Sequence, residues 1–242
     1  MEIPLFLAMT AGEMLCAEEL PPHPAWMACH FSPYGTGLSN LPQALPEGAM
    51  LILNDRFPPD WHDPEQSAQM LVQAAQELKC SCILLDFQRQ GHDKTASVVE
   101  AVLKKADCPV GVSSCYGDDR SCPVLLPPVP PHLALEEVVS TWKNRELWLE
   151  VSPEGTQITV TPQGSRYTAL AHYRPGENAH PEERLCCHYE IQVSDEQIDF
   201  FLGRTPEDQA ALLAQAKELG VRKAVGLWQE REAMFGVECP SG

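Results

Sequence analysis

The chain has 242 residues, 44% apolar and 21% charged, with a formal net charge of −17. That is enough for one sizeable core, either an α/β barrel or two small domains, and the acidity excludes the basic surface by which proteins grip nucleic acid or an anionic membrane. No apolar run is long enough to span a bilayer, and the opening MEIPLFLAMTAGEM carries no basic residue ahead of its short apolar run, so it reads as a first strand rather than a secretion signal.

Taken in order, Ile3 to Met9 predicts strand one, followed by a short helix from Ala11 to Leu20 that Pro21 and Pro22 end. Trp26 to Phe31 predicts a second strand, opening into the glycine-rich loop Ser32-Pro33-Tyr34-Gly35-Thr36-Gly37. Ala49 to Leu53 is a third strand, ending in Asn54-Asp55-Arg56 and stopped by Pro58. Asp63 then caps a helix from Pro64 to Leu78, with Met70, Leu71, Ala74, Ala75 and Leu78 as its apolar stripe.

Cys80 to Gly91, CSCILLDFQRQG, is the stretch on which the chain turns: an apolar run, a sudden polar cluster, then a glycine. Alternate residues of a strand share a face, so Asp86 and Gln88 point one way above Leu84 and Cys82, while Ile83, Leu85 and Phe87 suit a helix layer. A helix from Asp93 to Lys105 follows, striped by Val98, Val99, Val102 and Leu103. Pro109 to Ser113 is the fifth strand, running into Ser114-Cys115-Tyr116-Gly117-Asp118-Asp119, and Pro123 to Leu126 the sixth, after a gap too short for a crossover helix. Leu135 to Trp142 reads as a helix and Glu146 to Val151 as a seventh strand.

From Glu154 to Gly203 the pattern changes to alternating polar and apolar residues. Thr156 to Thr161 pairs with Tyr167 to Tyr173 across a turn, Cys187 to Val193 pairs with Ile198 to Leu202, and Arg174 to Arg184 reads as a polar loop. Thr205 caps a helix from Pro206 to Leu219, Gly220 ends it, and Val221 to Trp228 is the last strand. Eight strands alternating mostly with helices predict one α/β domain over 1–242, an irregular TIM-like (β/α)8 barrel with an antiparallel β-hairpin insertion at about 154–203; a doubly wound open sheet is the competitor.

The chemistry should then sit at the carboxyl ends of the strands. Asp55, Asp86, Glu150 and Glu230 all fall there, and two within ~5–10 Å could serve as acid and base. Arg56 and Arg89 are equally able to neutralise them as loop ion pairs. Cys80-x-Cys82 and Cys186-Cys187-His188 lack two-by-two zinc spacing; residues 80 and 82 should share a strand face while 186 and 187 should not, and no metal is expected. Cys115 has no basic neighbour to activate it, and His30 reads as a hydrogen-bonded core histidine. The ten cysteines read as free thiols of a cytoplasmic protein.

Two pieces together carry a family resemblance: AVGLWQE, which puts Trp228 at the end of the last strand, and ILLDFQ on the fourth. They are similar to the chitinase-type (family 18) glycoside hydrolases, α/β barrels whose fourth strand carries Asp-x-x-Asp-x-Asp-x-Glu and whose last strand supplies a sugar-facing tryptophan. Laid on residues 81 to 88 the motif meets Ser81, Leu84, Asp86 and Gln88, so only the last aspartate is kept and the proton donor is an amide. The resemblance implies a carbohydrate-binding or hydrolase-like barrel short of full activity, with Asp86 and Gln88 at the catalytic positions and no cofactor. Tyr34, Asp55, Arg89, Tyr116, Glu150 and Trp228 would line an apolar-floored groove that takes a carbohydrate ligand. A barrel enzyme of another class using Asp55 and Asp86, and a non-catalytic partner-binding protein, are the alternatives.

Overall fold

The structure, a computed structural model, describes residues 2–55, 59–89, 93–117, 120–142, 144–171 and 173–236. Arg56, Pro58, Gly91, Asp118, Asp119 and Cys239 lie outside the described residues. The elements in chain order are β1 (Leu5–Met9), α1 (Ala11–Cys16), β2 (Pro24–Trp26), β3 (His30–Phe31), β4 (Leu38–Ser39), β5 (Met50–Asn54), α2 (Pro64–Glu77), β6 (Cys82–Asp86), α3 (Asp93–Lys105), β7 (Val110–Ser113), β8 (Val124–Leu126), α4 (Leu135–Ser140), β9 (Leu147–Glu150), β10 (Gly155–Thr161), β11 (Gly164–Leu170), β12 (His180–Glu182), β13 (Cys187–Val193), β14 (Ile198–Gly203), α5 (Pro206–Glu218), β15 (Val221–Leu227) and α6 (Arg231–Phe235).

Eight of these strands close into a parallel barrel in the order β1-β15-β9-β8-β7-β6-β5-β2. The open sheet is thereby excluded, and β6 is the fourth strand of the barrel. Strand alternation sorts the side chains. Phe6, Ala8, Ala25, Met50, Ile52, Cys82, Leu84, Leu125, Trp148 and Val225 form one cluster that fills the barrel. Leu51, Leu53, Ile83, Leu85, Phe87 and Val112 face outward onto Leu71, Ala75, Val98 and Val102 of α2 and α3. On the other side Val124, Leu126, Leu149 and Val221 meet Leu135, Leu212 and Ala216 of α4 and α5.

The helices start where their caps dictate. Asp63 accepts from the N–H groups of Glu65 and Gln66 at 3.0 and 3.1 Å, with Pro64 in the first turn of α2. Thr205 and Asp208 form a reciprocal capping box on α5, behind Pro206.

Trp148 is fully buried inside the barrel, and β7 makes room for it with a glycine. A Cβ on Gly111 would stand 2.4 Å from Trp148 Cζ3. Gly111→Ala should therefore cost about 1–3 kcal/mol or more by overpacking. Denaturant unfolding checks this, and an unchanged midpoint would show that the indole can move aside.

The inserted region is a five-stranded antiparallel sheet in the order β11-β10-β14-β13-β12. Arg204, buried at its base, donates to the carbonyls of Cys186 at 3.1 Å and Val129 at 2.7 Å, tying the sheet to the chain that leaves β8. Both hairpins fall where alternation placed them. The loop reading of Arg174 to Arg184 is corrected: His180–Glu182 is a strand paired with β13, short and polar because it is an exposed edge.

Three further readings are corrected. Trp26 to Phe31 is not one strand. β2 ends at Trp26, and His30–Phe31 pairs with Leu38–Ser39 in a hairpin outside the barrel, so the Ser32–Gly37 loop is that hairpin's turn. The helices read to Leu20 and Trp142 stop at Cys16 and Ser140. Cys80 and Cys82 do not share a face: Cys82 belongs to the barrel interior, whereas Cys80 packs on the helix layer. The cause is that Cys80 precedes the strand. Its N–H bonds Ala75 O at 2.9 Å and closes the C-terminal turn of α2, with Lys79 in the left-handed region at φ 54°.

Candidate functional site

Inward-facing residues at the carboxyl ends of the strands form the mouth of the barrel. Asp86 continues the Cys82–Leu84 face of β6 and is level with Asn54 of β5. Glu150 continues the face of Trp148 on β9. Beyond Asp86, Gln88 turns back and donates from Nε2 to Asp86 Oδ1 at 2.5 Å. Burial raises the pKa of Asp86, the charge of Asp55 adds to this, and the Gln88 bond opposes it.

The loop after β6 is pinned from three sides. Asp55 is buried, and its Oδ2 accepts the Arg89 N–H at 2.7 Å. Tyr116 donates its hydroxyl to Arg89 O at 2.5 Å. Ser113 donates to Phe87 O, and the Cys115 thiol to Gln88 O at 3.7 Å. The structure thus gives Asp55 and Tyr116 a positioning role: they fix where Gln88 and Arg89 stand.

Glu150 is the group with the most altered acidity at this face. Its pKa is pushed up to about 7, first by burial and then by the charges of Asp86, Glu230 and Glu154. The strand-end carboxylates Asp55, Asp86, Glu150 and Glu230 are therefore one electrostatic cluster, with Asp86 and Glu150 at its centre. The sequence points to all four, to Asp86 with Gln88 at the catalytic positions, and to Asp55 with Asp86 only for the alternative enzyme class. The signal passed over was Trp148-x-Glu150: a carboxylate two residues above a large apolar group on one strand face shares that group's buried side.

Trp228 follows β15 and opens a short 3-10 turn. The Arg231 guanidinium lies over its ring, 3.5 Å from the centroid, and Arg231 Nη1 donates to Trp228 O at 3.0 Å. One face of the indole is thus taken, and a ligand could use only the other. Tyr34 sits on the β3–β4 hairpin, which docks over the start of α2 through Asp60 N to Pro33 O at 2.7 Å and Ser67 Oγ to Gly35 O at 2.8 Å. Its ring lies 4.9 Å from that of His62 at the outer rim.

A cavity of about 150 Å³ opens beside the mouth, between the chain leaving β8 and β9 and the inserted sheet, with Pro130, His132, Glu154 and Tyr167 in its wall. A second, of about 280 Å³, lies between the ends of α2 and α3. Asp86, Gln88 and Trp228 line neither. Among the described residues no group of three or more His, Cys, Asp or Glu side chains could hold a metal ion, and no helix is long and apolar enough to cross a membrane.

No protein-family model and no curated protein matches the sequence. Solved structures do match the fold. A chitinase from Chromobacterium violaceum ATCC 12472 aligns with TM-score 0.59 at 11% identity, over 97% of each chain. A chitinase-like agglutinin from Robinia pseudoacacia aligns with TM-score 0.59 at 10% identity, over 91% of this chain and 93% of its own. The Bacillus cereus spore cortex-lytic enzyme SleL aligns with TM-score 0.58 at 10% identity, over 99% of this chain and 76% of its own. At such identities the likeness is one of fold. With the closed barrel and the inserted sheet, it establishes that this chain has the irregular barrel fold of the chitinase-like proteins.

Proposed function

We propose that the protein is a carbohydrate-binding barrel of glycoside-hydrolase ancestry, weak or inactive as a hydrolase. The observation that carries this reading is the pair formed by Asp86, the last residue of the fourth barrel strand, and Gln88 in the loop just beyond it, joined at 2.5 Å where the resembled family has an aspartate and its proton-donating glutamate. The similar folds of a chitinase and a chitinase-like agglutinin support it. An amide donates and accepts hydrogen bonds but has no proton to give a leaving oxygen. Gln88 and Asp86 then hold sugar hydroxyls or an acetamido group, and the uncovered face of Trp228 packs on the ring.

Calorimetric titration with N-acetylglucosamine oligomers tests this. Binding should be measurable and should fall at least tenfold in Asp86→Ala. Binding that is absent, or indifferent to that substitution, overturns the reading.

Glu150 favours a second reading. A carboxyl with a pKa of about 7, coupled to Asp86, is poised as a general acid near neutral pH. On that reading the wild-type protein turns over a substrate of the glycoside class, Glu150→Gln abolishes turnover, and Gln88→Ala does not.

A further inference from the structure

Cys80 and Cys108 occupy matching places in successive units of the barrel. Cys80 comes two residues before the first residue of β6, and Cys108 two before the first residue of β7. β6 and β7 are parallel neighbours in the register Ile83↔Val110, which, continued toward their amino ends, sets Cys108 level with Ser81. Neither cysteine belongs to the strand ladder, but the two stand near enough for the charge of Cys108 to act on the Cys80 thiol, and a disulfide needs their Cα atoms within about 4.4–6.8 Å.

The side chains also meet the same space. Both pack on the helix-layer core, and both line the cavity of about 280 Å³ between the ends of α2 and α3. The two chain segments are fixed. The Cys80 N–H bonds Ala75 O at 2.9 Å, Ile83 N bonds Pro109 O at 3.0 Å, and Gln76 Nε2 bonds Asp107 Oδ2 at 3.0 Å. Cys80 and Cys108 are half-buried, so the cavity admits a small reagent, whereas the neighbouring Cys29 and Cys82 are fully buried.

We propose that Cys80 and Cys108 form a latent disulfide, a thiol pair that a peroxide or a diazenedicarboxamide closes across the amino ends of β6 and β7. Two S–H bonds break and one S–S bond forms. With the diazene reagent, one thiolate adds to the N=N bond and the second displaces it. Both electrons and both protons end on the reagent as the hydrazine. The reaction is slow at neutral pH, because burial and the neighbouring Cys108 and Cys82 push the Cys80 thiol up to about 12, and Cys108 is raised as well. Since the thiolate attacks, the rate should rise roughly tenfold per pH unit, with no levelling near 9 where an ordinary thiol would flatten.

The test exposes the full-length native protein to diamide at pH 9, blocks the remaining thiols, digests it without reductant and sequences the fragments by mass spectrometry. The expected product joins residues 80–89 to residues 106–120. These peptides also contain Cys82 and Cys115. The product should therefore vanish in Cys80→Ser and in Cys108→Ser but persist in Cys82→Ser and Cys115→Ser, and dithiothreitol should remove it. The oxidised protein should also melt several degrees higher than the reduced one, since a loop is closed in its unfolded state. Absence of the linked pair after prolonged exposure, or its survival in Cys80→Ser, overturns the proposal.

Discussion

Glu150→Gln should raise the stability of the protein at pH 8 by up to about 3 kcal/mol and leave it nearly unchanged at pH 4. In the folded state this carboxyl titrates at about 7 against an ordinary 4.5, because it is buried and faces Asp86, Glu230 and Glu154. The folded chain therefore holds the Glu150 proton more tightly than the unfolded chain does. Between pH 4.5 and about 7 the unfolded state binds fewer protons at this position, so stability falls as pH rises through that window, and the full cost is present above it. Each tenfold difference in proton affinity is worth about 1.4 kcal/mol, which gives the upper figure.

Glutamine keeps the shape and removes the ionisation. For a chain of this size the gain at pH 8 corresponds to a Tm higher by roughly 6–12 °C. Thermal melts of both proteins at pH 4, 6 and 8 check the sign as well as the size. A variant that is less stable at pH 8 would mean that the carboxylate is held by a partner that favours its charge, and the mouth would then not be the crowded acidic face described above.

The second large effect concerns Gln88. Gln88→Glu should produce measurable hydrolysis of N-acetylglucosamine oligomers where the wild-type protein gives none above background. The pinned loop places residue 88 within 2.5 Å of Asp86, so the new carboxyl would share a proton with its neighbour. Two carboxylates that close raise one pKa, which supplies an acid at neutral pH. A general acid contributes ~10²–10⁴ in rate, and the gain should fall toward the lower end. The reason is that Ser81 and Leu84 stand where the resembled motif has two more aspartates. Leu84 is packed inside the barrel, and Ser81 donates to Gly48 O at 2.6 Å below it. Adding Asp86→Ala to Gln88→Glu should return the rate to background. If the glutamate variant stays silent although it is folded and binds sugar, the residue that lost its proton is not the one that matters.

The barrel was legible because its signals are local. CILLD, MLILN and LWLE are apolar runs that end in a polar residue, and Asp63-Pro64 and Thr205-Pro206 mark helix starts by capping chemistry that needs no tertiary context. The face of Asp86 followed from parity alone. What the sequence left hidden depends on contacts distant in the chain. Trp26 to Phe31 is apolar but for His30, so nothing in it announced that the strand breaks after Trp26, whose indole donates to Asn40 O at 2.9 Å across the hairpin. β12 pairs only His180, Pro181 and Glu182 with β13, too short a run to show an alternation. Asp55 looked like a working carboxylate, and only the fold reveals that its oxygen holds the Arg89 amide. Glu150 looked like one strand-end charge among four, and its altered acidity emerges only when the fold buries it and brings Asp86, Glu230 and Glu154 beside it.

The claim that matters most is that a sugar sits at the barrel mouth against Asp86. A crystal structure of the wild-type protein soaked with a chitin-type oligosaccharide tests it most directly. A sugar ring is expected at the carboxyl ends of the strands, with hydrogen bonds to Asp86 and Gln88 and its apolar side toward Trp228. An empty mouth at saturating ligand, or a sugar bound only in the cleft beside His132 and Tyr167, would contradict it.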